Sequence, residues 1–284
     1  FSARLPRFVG YVPVDRPTQK LSSDRLRPVP ADYPDPLLEA NCIDVAANDA
    51  QPVWITVRVP VDATPGTFSA TVGLIGQVDG KDAKATQKLT LRVFPATITK
   101  TRLHVTEWFG MNTAHMKIKP EKNSEEYYAL LRKFARNMAE HRHNVALISP
   151  TGHAQFGVDA NGGLTVDFSE FDRWVSIFVE EGVIGTIEGG HIGWRSGGWT
   201  STFHVEVYQA KDGKAVSSMV DPASAEADAF FAWYYPKLVE HLRGKGWIDR
   251  YLQHLGDEPI PPNLESYKAM AALTRKYAPG LRIV

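Results

Sequence analysis

The sequence is poor in cysteine. Cys42 is the only one in 284 residues, so no disulfide can close within the chain. A lone thiol far from the other reactive side chains reads as a buried structural group. Excess charge is absent too: 32 basic side chains balance 32 acidic ones. Without a basic face, neither nucleic acid nor an anionic membrane is an expected partner. No apolar run approaches the ~20 residues that span a bilayer. There is no G-x-G-x-x-G and no P-loop, so nucleotide binding has no support. The absence of G-x-S-x-G leaves a Ser-His-Asp nucleophile without its usual setting.

What remains is an ordinary globular composition, 43% hydrophobic and 23% charged, long enough for about two domains. The chain starts at Phe1, which reads as a processed or trimmed product. The expected location is secreted, periplasmic or cell-surface, with any signal peptide outside the visible sequence.

Residues 1–97 read as β structure. The run from Arg7 to Val14 is short, and Leu26–Leu38 is dense in proline, which predicts an extended arm rather than a helix or central strand. Val53–Pro60 alternates with period two and predicts one strand. Two more strands, Thr67–Gln77 and Lys84–Phe94, flank a hairpin signal at Asp79-Gly80-Lys81-Asp82. Strands at this spacing without a helix predict a β-sandwich.

After Pro95 the pattern changes. Strands are expected at Arg102–Phe109, Asn144–Pro150, Val183–Glu188, Tyr251–Pro259 and Leu281–Val284. Between them lie helical patterns. One is capped by Ser124 and one opens at the capping box Ser169-Glu-Phe-Asp172. A third starts at Asp221-Pro222 and a fourth is capped by Asn263. A small hairpin is expected around Asp159–Gly163, and Gly189 to about Val220 is a long excursion. Alternating β and α with long insertions after strands predicts parallel strands, as in a (β/α)8 barrel; a doubly wound sheet is the alternative. The expected domains are thus a β-sandwich over 1–97 and the first part of a barrel over 98–284. A full barrel needs about 250 residues, more than this second part holds. The rest is therefore expected from a second polypeptide or a missing segment.

Barrel chemistry is built where strands end at their C-terminal face. Trp108, Phe109 and Asn112 follow the first strand, and His153 the second. Glu188, His191, Trp194, Arg195 and Trp199 follow the third, and Asp257 and Glu258 the fourth. Adjacent carboxyl groups disfavour each other's charge, an arrangement that suits one neutral and one ionised acid. Aromatic faces and polar groups sharing one pocket suit a sugar. Trp108, His153, Glu188, His191, Trp194 and Trp199 are the candidate substrate-binding residues. Glu188-x-x-His191, with His153, also resembles a set of metal ligands, but H-E-x-x-H is missing and no metal or cofactor is expected.

Three stretches carry a family resemblance: the turn Val59-Pro-Val-Asp-Ala-Thr-Pro-Gly-Thr-Phe68, Leu164-Thr-Val-Asp-Phe-Ser-Glu-Phe-Asp172, and Gly256-Asp-Glu-Pro259. Together they resemble glycoside hydrolase family 123 and its relatives, a group also called domain of unknown function 4091. That resemblance implies release of a β-linked N-acetylgalactosamine from a glycan or glycoconjugate. It also implies a likeness to family 20 hexosaminidases, which place Asp-Glu at the end of strand four. On this sequence Glu258 would be the general acid and Asp257 the residue that orients the acetamido group. The residues agree with such a substrate-assisted retaining mechanism. Adjacent strand residues point to opposite sides, so Asp257 is badly placed as the usual nucleophile, about 5 Å from the acid. An ionised Asp accepts hydrogen bonds only, which suits an amide N–H. Two alternatives stand beside it. One is a retaining glycosidase whose protein nucleophile lies beyond residue 284; the other is a carbohydrate-binding protein without activity.

Overall fold

The computed structural model describes residues 2–3, 7–14, 29–98, 102–111 and 119–284. Asn112 and the start of the proline-dense arm, up to Pro28, lie outside the described residues. The chain forms two compact units, Phe1–Thr101 and Arg102–Val284.

The first unit is antiparallel. Strand β1 (Ser2–Ala3) pairs with β5 (Val57–Arg58). Strand β2 (Arg7–Val14) lies between β3 (Ala31–Leu38) and β4 (Val53–Trp54). The proline-rich stretch does contribute a strand, but an edge strand: Pro34 and Pro36 sit where a missing N–H costs no inner ladder. Val53–Pro60, expected as one strand, is split between two partners, β4 joining β2 and β5 joining β1. Strands β6 (Gly66–Val78) and β7 (Lys81–Val93) form a hairpin whose two-residue turn is Asp79-Gly80. Both turn residues have positive φ, 52° and 73°, the handedness that matches the twist of paired strands. Cys42 is exposed on the connection between β3 and β4, not buried as the composition suggested.

The second unit mixes sheet and helix. Its parallel sheet has the order β16-β15-β11-β8, with β8 at Val145–Leu147, β11 at Thr186–Gly189, β15 at Tyr251–Gln253 and β16 at Arg282–Ile283. Parallel neighbours need long crossovers. Here α3 (Ser169–Glu180), α4 (Ala225–Gly244) and α5 (Leu264–Tyr277) supply them. Helix α1 (Glu125–Glu140) precedes β8 and the single-turn α2 (Pro150–His153) follows it; Ser124 Oγ accepts from Tyr127 N at the start of α1. Every residue of β11 is buried, as suits a strand covered on both faces.

Three expectations change here. Residues 102–109 form no strand. Instead the side chain of Asn144 brackets them, with Oδ1 accepting from Val105 N at 2.8 Å and Nδ2 donating to Leu103 O at 2.8 Å. The box at Ser169 is not formed. Asp167 Oδ1 accepts from Ser169 N, and Asp172 turns to His241 and Lys245. The excursion after β11 is itself a sheet, β12 (Gly193–Arg195), β13 (Phe203–Lys211) and β14 (Lys214–Val220), all antiparallel. Its buried Phe203, Val205 and Val207 alternate along β13 and join the same core as α4. The small hairpin expected near 159–163 is present as β9 (Gln155–Val158) and β10 (Leu164–Asp167).

Helix α4 anchors this core through Phe230, Phe231, Tyr234, Tyr235, Leu238 and Leu242, all buried. Phe230 stacks on Tyr234 with centroids 5.4 Å apart, and Tyr235 Oη meets Thr274 Oγ1 of α5 at 2.8 Å. Leu238 has no exposed surface. Leu238→Ala is expected to cost about 2–5 kcal/mol, from lost burial plus the cavity left behind. Urea unfolding measures it; a loss under about 1 kcal/mol would mean α4 is not packed as described.

Candidate active site

The ends of β11 and β15 lie side by side, and the chain beyond each stays hydrogen-bonded to the other. His254 N donates to Gly189 O, and Ile192 N and Gly193 N both donate to Leu255 O. Close approach here requires glycine. A Cβ on Gly189 would lie 2.1 Å from Tyr251 Oη, and one on Gly256 2.9 Å from the Phe203 ring. Beneath, Gln253 is buried and fully used. It accepts from Tyr251 Oη at 2.8 Å and donates to Gly190 O and His254 O.

Glu188, on β11, is 6% exposed. Thr106 Oγ1 donates to its Oε2 at 2.7 Å and Trp108 Nε1 to its Oε1 at 3.2 Å. His254 Nε2 also bonds Oε1 in a short contact. Burial pushes the carboxyl upward, but the hydrogen bonds from His254, Thr106 and Trp108 outweigh it and hold the group below the usual carboxylate range. An ionised carboxylate only accepts, so Nε2 of His254 carries the proton. Around this charge stand three rings set edge to face: Trp108 on His191 at 5.1 Å, Trp108 on His254 at 5.5 Å, and His191 on His254 at 4.9 Å. Burial, together with His254, pushes the His191 imidazole below its ordinary value, against the opposing charges of Asp257 and Glu188. His191 is thus neutral at pH 7, and its Nε2 has no hydrogen-bond partner among the described residues.

The acid pair stands beyond β15, not on it. The strand ends at Gln253, and Asp257 and Glu258 occupy a bend, half-buried and exposed respectively. Their position at the C-terminal end of a parallel strand is as expected. Their opposite orientation as strand neighbours is not, since they do not follow strand geometry. Glu258 has φ +41°, in the left-handed region. Arg195, at the end of β12, reaches both acids through their main chain: its Nη2 donates to Asp257 O at 2.9 Å and to Glu258 O at 2.8 Å. Its Nε donates to Trp199 O at 2.9 Å, and its guanidinium lies 4.0 Å from the centre of the Trp199 ring.

Of the predicted site residues, Trp108, Glu188 and His191 therefore form one cluster, within electrostatic reach of Asp257, while Trp199 is linked to both acids through Arg195. His153 belongs elsewhere. Its Nδ1 meets Glu170 Oε1 at 3.1 Å and its ring lies 4.4 Å from Trp174. Trp194 is exposed on β12 opposite His204, and no ring contact or hydrogen bond among the described residues joins it to the Glu188 cluster. Thr106 and His254 were missed. The signal for His254 was its place immediately after Gln253 and before the acids.

A parallel β/α sheet with an acid pair after one of its strands is the frame of many α/β enzymes. Comparison with known families narrows this. Residues 108–284 match the model of the glycoside hydrolase 123 catalytic domain, and residues 3–75 that of the glycoside hydrolase 123 N-terminal domain. The chain belongs to glycoside hydrolase family 123. It shares its fold with a family 123 glycoside hydrolase from Clostridium perfringens, with a TM-score of 0.67 and 16% identity over 87% of this chain and 45% of that one. The chain thus spans less than half the length of that structure. No curated protein matches it.

Because the folded-state pKa of Glu188 is depressed, its stabilisation is present above the ordinary carboxylate value and is lost as pH falls through the lower folded value. Glu188→Gln should therefore melt below wild type at neutral pH, the gap closing as the solution is made acidic. Melting curves from neutral to strongly acidic pH check this; a gap independent of pH would contradict an ionised Glu188.

Proposed function

We propose that this chain carries the first part of the catalytic barrel of a retaining glycosidase that releases a β-linked 2-acetamido sugar, N-acetylgalactosamine, with assistance from the substrate. The carrying observation is the acid pair at the C-terminal end of β15, inside a segment that matches the family's catalytic domain. The Clostridium perfringens relative is described in terms of glycolipid glycan hydrolysis, and a glycolipid or other glycoconjugate is the substrate class we assign here. Residues 1–97 are read as a β-sandwich domain, and the protein as one that acts outside the cytoplasm.

In this reading Glu258 gives its proton to the glycosidic oxygen while the acetamido carbonyl oxygen attacks C1. The C1–O bond breaks, the aglycone leaves as the alcohol, and an oxazolinium remains. Asp257 accepts the acetamido N–H and balances the developing positive charge. Water, deprotonated by Glu258, then opens the ring from the face the aglycone left, so configuration is retained. Neither metal nor cofactor enters these steps. Trp108 and Trp199 offer faces to the sugar, and the unpaired Nε2 of His191 is a site for a hydroxyl. Glu188 keeps Trp108 and His254 in place. His153 and Trp194 belong to more distant parts of the binding surface.

The test uses the full-length protein and paired aryl glycosides differing only in the 2-substituent. Wild type should turn over the 2-acetamido member and leave the 2-hydroxy member untouched. Glu258→Gln should lose ~10²–10⁴ in rate on poor leaving groups and much less on nitrophenyl glycosides, which need little protonation. Asp257→Ala should lose rate on both. Equal turnover of the 2-hydroxy and 2-acetamido substrates would sink the proposal and indicate a protein nucleophile; binding without turnover would indicate the non-catalytic alternative.

A further inference from the structure

We infer that Arg195 is a positioning residue that locks the general acid and the Trp199 platform into one unit. The inference rests on the reading of Glu258 as the acid. A residue with a Cβ holds φ +41° only where its surroundings over-determine it, and the α region is also disfavoured for Glu258 because Pro259 follows. Arg195 supplies that constraint. Its Nη2 draws the carbonyls of Asp257 and Glu258 onto a single nitrogen, at 2.9 and 2.8 Å.

The choice of atoms matters. Arg195 bonds the main-chain oxygens of both acids, and no ion pair joins it to either carboxylate among the described residues. It therefore fixes where the main chain of the acids runs without pairing with their carboxylates. Its Nε holds Trp199 O at 2.9 Å, and its guanidinium packs against the rings of Trp199 and Phe203, at 4.0 and 5.1 Å. The base of the arm that β12 and β13 form is held as well. Ile192 N and Gly193 N donate to Leu255 O, Arg195 pairs with Phe203 in the β12–β13 ladder, and Ser196 N donates to Thr202 O. The arm thus docks on the acid segment at both ends, and Arg195 is its outer clasp. A lysine reproduces the charge but not the planar fork or the stack.

The experiment compares Arg195→Ala, Arg195→Lys, Glu258→Gln and the double variant Arg195→Ala/Glu258→Gln in the full-length protein. Substrates are aryl 2-acetamido glycosides with a good and a poor leaving group. Displacing an acid by about 1 Å costs on the order of 10²-fold. Arg195→Ala should therefore lose about ten- to a hundredfold in kcat on the poor leaving group and far less on the good one. Lysine should restore little, whereas free guanidinium should restore activity to Arg195→Ala and not to wild type. Beyond Glu258→Gln, the double variant should lose only the smaller factor that Arg195→Ala costs on the good leaving group, because an absent acid cannot be misplaced. A loss equal on both substrates that multiplies with that of Glu258→Gln would overturn the inference, as would full activity in Arg195→Ala. Should the alanine variant fail to fold, judged by circular dichroism and melting, Arg195→Lys gives the same leaving-group readout. Leaving-group dependence in Glu258→Gln but not in the Arg195 variants refutes the clasp alone. Its absence in Glu258→Gln itself refutes the acid assignment.

Discussion

A charge buried at the end of a strand is the constraint on which the second unit depends. Glu188 is almost inaccessible and held ionised, and an unpaired buried carboxylate is prohibitively costly. Its three donors come from two parts of the chain: Thr106 and Trp108 from the segment before α1, and His254 from the continuation of β15. Satisfying one carboxylate therefore fixes the distance between two parallel strand ends and pins a segment that makes no ladder of its own. It also faces three rings toward one another. The arrangement of the cluster follows from the same contacts that balance its charge.

The acids themselves are held by a different means. They lie past the last ladder bond of β15, where a strand would no longer dictate their direction. The insertion after β11 takes over that role. It is rigid because β13 buries alternate side chains against the core, and it returns Arg195 to the main chain of the acid segment. An insertion that looks like decoration in the sequence thereby becomes part of the site's framework, as in barrels whose strand-to-helix loops build the active face.

Much of this could be read in advance where the signal was local. Ser124 before a periodic helix, Asp79-Gly80 between two alternating runs, and the small hairpin at 155–167 all depend on neighbours in sequence, and all formed as expected. The alternation of strand and helix gave the parallel sheet, down to its two-residue edge at Arg282–Ile283. What failed depended on partners far along the chain. Residues 102–109 have strand composition but are taken up by Asn144 and Glu188. Val53–Pro60 alternates correctly yet serves two different strands. Asp172 fits a capping box but finds His241 and Lys245 closer to hand. Among the candidate site residues, those after strands were chosen by position alone. His254 was not, because it precedes the acids, and His153 was included although its pairing with Glu170 draws it into another cluster.

The family assignment and the geometry meet at one question, what lies beneath the anomeric carbon. The most direct measurement is a crystal structure of the full-length protein with a thiazoline analogue of the bicyclic intermediate. The analogue's ring nitrogen should lie within hydrogen-bond distance of an Asp257 carboxylate oxygen, with Glu258 on the side the aglycone leaves and Arg195 still holding both main-chain oxygens. An analogue bound with its nitrogen turned away from Asp257, or with another carboxylate beneath the anomeric carbon, would contradict the proposed mechanism.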